Sequence, residues 1–207
     1  MTEDRVKMMK KIIAFLGGVL SVLSVQAVTL DDNLKPNQLR VYGADKPTKA
    51  YVFTSYSCPH CTVFHKTILP EMKKMVDDGK LQIVMVEMPF DARSMTGTML
   101  ARCLPAKHYD KFSEAMFDNQ QTWSLSKNPK AIITGYASLL GMSENQINAC
   151  LSDKALMKTV TQQRNNLADM YGVTGMPSVV VVSDSARKLL VGTDKDEILS
   201  EIRKRIK

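Results

Sequence analysis

The stretch Phe53 to His65, FTSYSCPHCTVFH, sets Cys58 and Cys61 on either side of a proline and a histidine. The residues around it decide the fold. Lys49 to Tyr56 (KAYVFTSY) is β-branched and aromatic and reads as a buried strand. Pro59 to Asp78 has helical spacing, with Val63, Phe64, Thr67 and Ile68, then Met72, Met75 and Val76. Pro70 is expected to kink that helix, and Asp77-Asp78-Gly79 to stop it. Leu81 to Met88 (LQIVMVEM) reads as a second strand. Strand, helix and strand in so short a span make a βαβ unit with a parallel pair.

The two cysteines therefore fall where a strand hands over to a helix. Cys58 sits at or near the N-cap, and Pro59 takes the first helical position, where its missing N–H does no harm. The unpaired N–H groups and the positive dipole end of the helix point at the Cys58 sulfur and favour the thiolate. His60 adds another donor or a nearby positive charge. Cys61 lies one turn further in, covered by helix and strand. This spacing predicts one exposed, acidic sulfur and one covered sulfur within bonding reach, which together form a reducible disulfide. A zinc site needs two more ligands. There is no second Cys-x-x-Cys, His65 shares the same helix, and Cys103 and Cys150 lack finger spacing, so no metal is expected. A purely structural staple gains little from closing so small a loop.

The N-terminus supplies a compartment. Lys7, Lys10 and Lys11 precede an apolar run from Ile12 to Val25, with small or β-branched residues at Val25 and Ala27. This is the layout of a secretory signal peptide cleaved after Ala27, and the run is shorter than the ~20 residues of a membrane span. Disulfides persist in an exported chain. The net charge of +7 is modest and scattered, and basic residues are not interleaved with aromatics. That argues against a nucleic-acid partner.

Past the βαβ unit the pattern changes. Residues 91–171 read as short helices: SMTGTMLARCL, HYDKFSEAMFDNQ, NPKAIITGYASLLG, SENQINACL and DKALMKTVTQQRNNLADMYG. Ser143 and Gln146 have the form of a capping box, Pro129 suits a first turn, and Gly141 and Gly172 suit helix ends. Ser178 to Ser183 (SVVVVS) and Lys188 to Val191 (KLLV) read as an antiparallel pair, and 194–206 as a closing amphipathic helix. Val28 to Pro47 is the least regular part. Met85, Met88, Met95 and Met99 are close in sequence and could suggest Cu(I), but their positions fit core packing. Trp123 is expected to be buried.

SYSCPHC, the helical stretch after the βαβ unit, and GVTGMPS followed by VVVV together resemble the DsbA-type thiol oxidases of the bacterial periplasm. The resemblance implies an α/β thioredoxin fold, built from 49–90 and 172–207, with an all-helical insert at 91–171. Ahead of it stand the signal peptide 1–27 and an N-terminal extension 28–48. It further implies that Cys58 is the nucleophile, Cys61 its buried partner and His60 the tuner of potential. Pro177 becomes a cis-proline, with Gly175 and Met176 beside it forming the client-binding loop. The chain departs from many relatives at Val52, where an acidic residue is common, and at Met176, where Val or Thr is common. Cys103 and Cys150 are expected to form a second disulfide, the alternative being two buried free thiols.

The function so implied is donation of disulfides to exported cysteine-containing proteins by a periplasmic monomer. Its only redox group is the Cys58–Cys61 pair, with no further cofactor, and a DsbB-like quinone-linked membrane partner reoxidises it. Two alternatives stand beside this reading. One is an isomerase or reductase kept reduced by a DsbD-like partner. The other is a non-catalytic exported envelope protein that uses the same fold.

Overall fold

The computed structural model describes Lys35 and residues 37–206. The signal-peptide expectation, 1–27, and much of the extension lie outside the described residues.

Five strands form one mixed sheet: β1 Arg40–Tyr42, β2 Lys49–Thr54, β3 Gln82–Glu87, β4 Ser178–Val182 and β5 Arg187–Val191. Their spatial order is β1-β3-β2-β4-β5. β2 and β3 run parallel, with Val52 opposite Met85, and the other three pairings are antiparallel. The chain crosses from β2 to β3 through two helices, α1 Pro59–Thr67 and α2 Leu69–Asp77. A parallel pair needs such a crossover, and the helices it carries cover one face of the sheet. β3 is buried along its whole length, with its apolar centre Ile83 to Val86 covered on both faces of the sheet.

The period-2 alternation of β2 divides the core. Ala50 and Val52 face the larger cluster, and Tyr51 and Phe53 face a smaller one containing Val86, Val173 and Val180. Between β3 and β4 run α3 Ala92–Cys103, α4 Tyr109–Asp118, α5 Gln120–Ser124, α6 Pro129–Leu139, α7 Glu144–Ser152 and α8 Lys154–Tyr171. The helix α9 Lys195–Arg203 follows β5. The larger cluster continues from the sheet through Phe112, Trp123 and Ile133 without a break. Trp123 is fully buried, and its Nε1–H donates to the Met116 carbonyl at 2.7 Å.

Three local readings change. The helix after Cys58 is not kinked at Pro70 but broken at Ile68. Pro70 then falls in the first turn of α2, where no N–H is missed. α5 is a separate short helix that a continuous pattern through Gln120 conceals. The segment 28–48, read as an irregular extension, supplies the edge strand β1. What holds β1 is remote in sequence. The Arg40 guanidinium donates to the carbonyls of Ala101 and Arg102, at 3.3 and 2.6 Å, at the C-terminal end of α3. A cation there satisfies carbonyls the helix leaves unpaired and suits its dipole.

The capping box at Ser143 and Gln146 is present, and Gly172 ends α8 in the left-handed region at φ 68°. Cys103 at the end of α3 is bonded to Cys150 of α7, with Cα atoms 6.2 Å apart.

Candidate active site at the first turn of α1

Cys58 is the N-cap of α1, with an extended backbone (φ −90°, ψ 118°), and Pro59 is the first helical residue. The Cys58 carbonyl accepts the N–H groups of Cys61 and Thr62, at 3.1 and 3.4 Å, and its own N–H donates to Ser55 O. Neither Cys58 nor Cys61 carries a disulfide here.

The two sulfurs differ as their positions demand. The Cys58 thiol is pushed down to about 6. The hydrogen bond from the Cys61 thiol is the largest cause, followed by the backbone N–H groups of Cys61 and His60 and the His60 charge, with burial opposing. The Cys61 thiol is pushed far up, because it gives its proton to that bond and because it is buried. Cys61 is 0% exposed, with the Ser55 N–H 3.4 Å from its sulfur. Cys58 is only 7% exposed, less open than its spacing suggests. The cover comes from the loop before β4, where the Met176 carbonyl oxygen lies 3.6 Å from the Cys58 sulfur.

The Met176–Pro177 peptide bond is cis. Met176 is half-buried against the core, and Gly175 holds the loop by accepting the Ser178 hydroxyl at 2.8 Å. Pro59 and His60 are exposed on the helix end. The structure thus brings Cys58, Cys61, Pro59, His60 and the Gly175–Pro177 loop together. Cys103 and Cys150 do not join them; Cys150 Sγ lies 3.2 Å from Met99 O, within the helical stretch.

His65 is half-buried one turn past Cys61, stacked on Phe117 with ring centroids 4.4 Å apart. Burial, then Lys73, pushes its imidazole down to about 4. Met85 and Met99 are buried, and Met88 and Met95 pack at the core's margin. Among the described residues, no three His, Cys, Asp or Glu side chains are grouped to hold a metal. No helix among them is long and apolar enough to cross a membrane.

Two further residues at the site were missed in the sequence. Gln120, the first residue of α5, donates from Nε2 to the carbonyls of Tyr56 and Cys58. Asp91, the N-cap of α3, accepts the Ser57 hydroxyl at 2.9 Å. Burial pushes the Asp91 carboxyl up, but bonds from Ser94, Ser57 and Arg93 outweigh it and hold the group below its usual range. Together these residues tie the turn 56–58 to the helical stretch. Gln120 could not be found by motif, and Asp91 with Ser94 signals a helix cap but not the bond to Ser57 far away in the chain.

The family model described as Thioredoxin matches residues 37–188. A Rickettsia bellii protein named as a protein-disulfide oxidoreductase is 27% identical over 147 residues, which cover 70% of this chain and 57% of that protein. The chain spans about half the length of such Rickettsia relatives. A Bacillus cereus protein named as disulfide bond formation protein D is 25% identical, with 97% of this chain and 98% of that one aligned. Among solved structures, Wolbachia pipientis α-DsbA1 superposes with a TM-score of 0.72 at 21% identity. The match covers 81% of this chain and 90% of that one. The chain belongs to the thioredoxin family and has the fold of its DsbA-type members.

Proposed function

We propose that this chain is a thiol:disulfide oxidoreductase that donates disulfides to exported cysteine-containing proteins through Cys58 and Cys61. One observation carries the reading. Cys58 caps a helix with its thiol pushed down to about 6, and a second cysteine is buried one turn behind it.

In the oxidised state a client thiolate attacks Cys58 Sγ. The client–Cys58 bond forms, the Cys58–Cys61 bond breaks, and its electron pair leaves on Cys61, which takes up a proton because its thiol is held far up. A second client thiolate then attacks the client sulfur of the mixed disulfide. Cys58 leaves as a thiolate, which at pH 7 outnumbers its thiol by about ten to one for a group near 6. The client has lost two electrons and two protons. The pair has gained both electrons and one proton, and the other proton goes to solvent. No cofactor besides the pair takes part.

Pro59 sets the helix start, His60 stabilises the thiolate, and Gly175, Met176 and Pro177 present backbone to the client. The DsbA-type fold and the apolar N-terminus support a periplasmic monomer, exported by its signal peptide and reoxidised by a DsbB-like quinone-linked membrane protein. The test is to mix the oxidised chain with a reduced two-cysteine peptide. Stoichiometric conversion to the peptide disulfide is expected. It should be lost in Cys58→Ala, while reduced Cys61→Ala, mixed with the oxidised peptide, should form a mixed disulfide on Cys58 and free the second peptide thiol. No transfer by the parent would overturn the reading in favour of a non-catalytic envelope protein.

A further inference from the structure

Gln120 is buried, and both hydrogens of its amide nitrogen are aimed at one turn of chain. Nε2 lies 2.6 Å from Tyr56 O and 3.0 Å from Cys58 O. An amide nitrogen has two hydrogens and a carbonyl oxygen has none, so only the nitrogen can face both partners and the orientation is fixed by chemistry. The Cys58 carbonyl already accepts the N–H groups of Cys61 and Thr62, and Gln120 adds a third donor to it. Peptide planes are rigid. The plane of the Cys58 carbonyl ends in the Pro59 nitrogen, so pinning that carbonyl fixes the Cys58–Pro59 unit that starts α1. The same carbonyl accepts the Cys61 N–H, one of the groups that lower the Cys58 thiol. Tyr56 is itself fixed, its hydroxyl bonded to Ser113 at 2.8 Å and its ring set edge-on to Phe112.

We infer that Gln120 is a positioning residue for disulfide exchange, holding the turn 56–58 so that the Cys58 sulfur stays at the first turn of α1. The inference rests on the oxidoreductase reading above. Gln120 acts through the backbone. Its effect falls on the reduced state, because only the thiolate draws on the positive end of α1. Loosening the turn removes support from the reduced pair and makes the oxidised pair a weaker oxidant. A merely structural glutamine would lower the stability of both redox states alike and leave their balance unchanged.

The test equilibrates four full chains with glutathione: the parent, Gln120→Met, Gln120→Glu and Ile202→Val. Each equilibrium converts two glutathione thiols and the Cys58–Cys61 disulfide into glutathione disulfide and the two protein thiols. Gln120→Met keeps the bulk and removes both donors. Gln120→Glu keeps the shape and sets carboxylate oxygens against two carbonyls. Ile202→Val trims a core residue of α9, an element packed on β4. Gln120→Met is expected to lower the equilibrium constant about tenfold and to raise the midpoint of Cys58 alkylation by about one pH unit. Gln120→Glu should move both further in the same direction, and Ile202→Val should move neither. Folded Gln120 variants that match the parent, or an equal shift in Ile202→Val, would overturn the inference alone. A parent that exchanges no disulfide overturns the oxidoreductase reading and this inference with it.

Discussion

The sulfur of Cys58 lies 3.6 Å from the carbonyl oxygen of Met176, a residue 118 positions further along the chain. This contact closes the turn before α1 against the loop before β4. Only 7% of Cys58 stays exposed, so the proposed function has a client enter along that seam, beside the Met176 backbone. The sequence signals for the two segments are independent, and the parallel β2–β3 pair with β4 on its other side brings them together.

The first prediction concerns reactivity. With its thiol near 6, Cys58 should be alkylated by iodoacetamide with a pH midpoint close to that value, and Cys61 should stay unmodified across the range. Peptide mapping by mass spectrometry after timed alkylation measures both. A Cys58 midpoint near about 8.5, the value of a free thiol, contradicts the assignment.

The second follows by linkage. The Cys58 thiol is lower in the folded, reduced protein than in the unfolded chain. Its contribution is therefore fully present above the unfolded value of about 8.5 and is lost as pH falls through about 6. The reduced protein should gain stability relative to the oxidised one as pH rises from about 6 to about 8.5. Cys58→Ala should remove that slope. Paired urea titrations of the two redox states at several pH values read it directly.

The third concerns the second disulfide. Cys103–Cys150 closes a loop with a sequence separation of 47. Breaking it with Cys103→Ala and Cys150→Ala should cost up to ~4 kcal/mol in the chain-entropy model, measured by urea unfolding. Transfer by Cys58 and Cys61 should persist in the folded double variant.

The fourth concerns the buried ion pair. Arg102 Nε donates to Glu87 Oε1 at 2.9 Å, with both side chains at most 5% exposed. Arg102→Met leaves the Glu87 carboxylate buried without that partner, and about 3–5 kcal/mol of stability should be lost. Retention of full stability in that variant would count against the pairing.

How much of this was legible in the sequence depends on how local each signal is. The placement of Cys58, Pro59 and Cys61 follows from a β-branched run ending at a proline and a helical pattern, all within twenty-odd residues. The helix caps at Ser143 and Gly172 are likewise short-range chemistry. β1 was hidden because three residues cannot display a period, and what secures Arg40 is the end of α3, about sixty positions away. The break at Ile68 was hidden because apolar spacing continues through it. Gln120 was hidden for a stronger reason. Its role lies in meeting two backbone carbonyls, and carbonyls leave no mark in a sequence.

The most direct test of the central claim is the reduction potential of the Cys58–Cys61 pair against glutathione, with Cys103 and Cys150 blocked. A stabilised thiolate on Cys58 predicts a value toward about −120 mV, the strongly oxidising end of the known range. A value near about −270 mV, where thioredoxin lies, would contradict a disulfide donor and leave a reductant or isomerase held reduced by a DsbD-like partner.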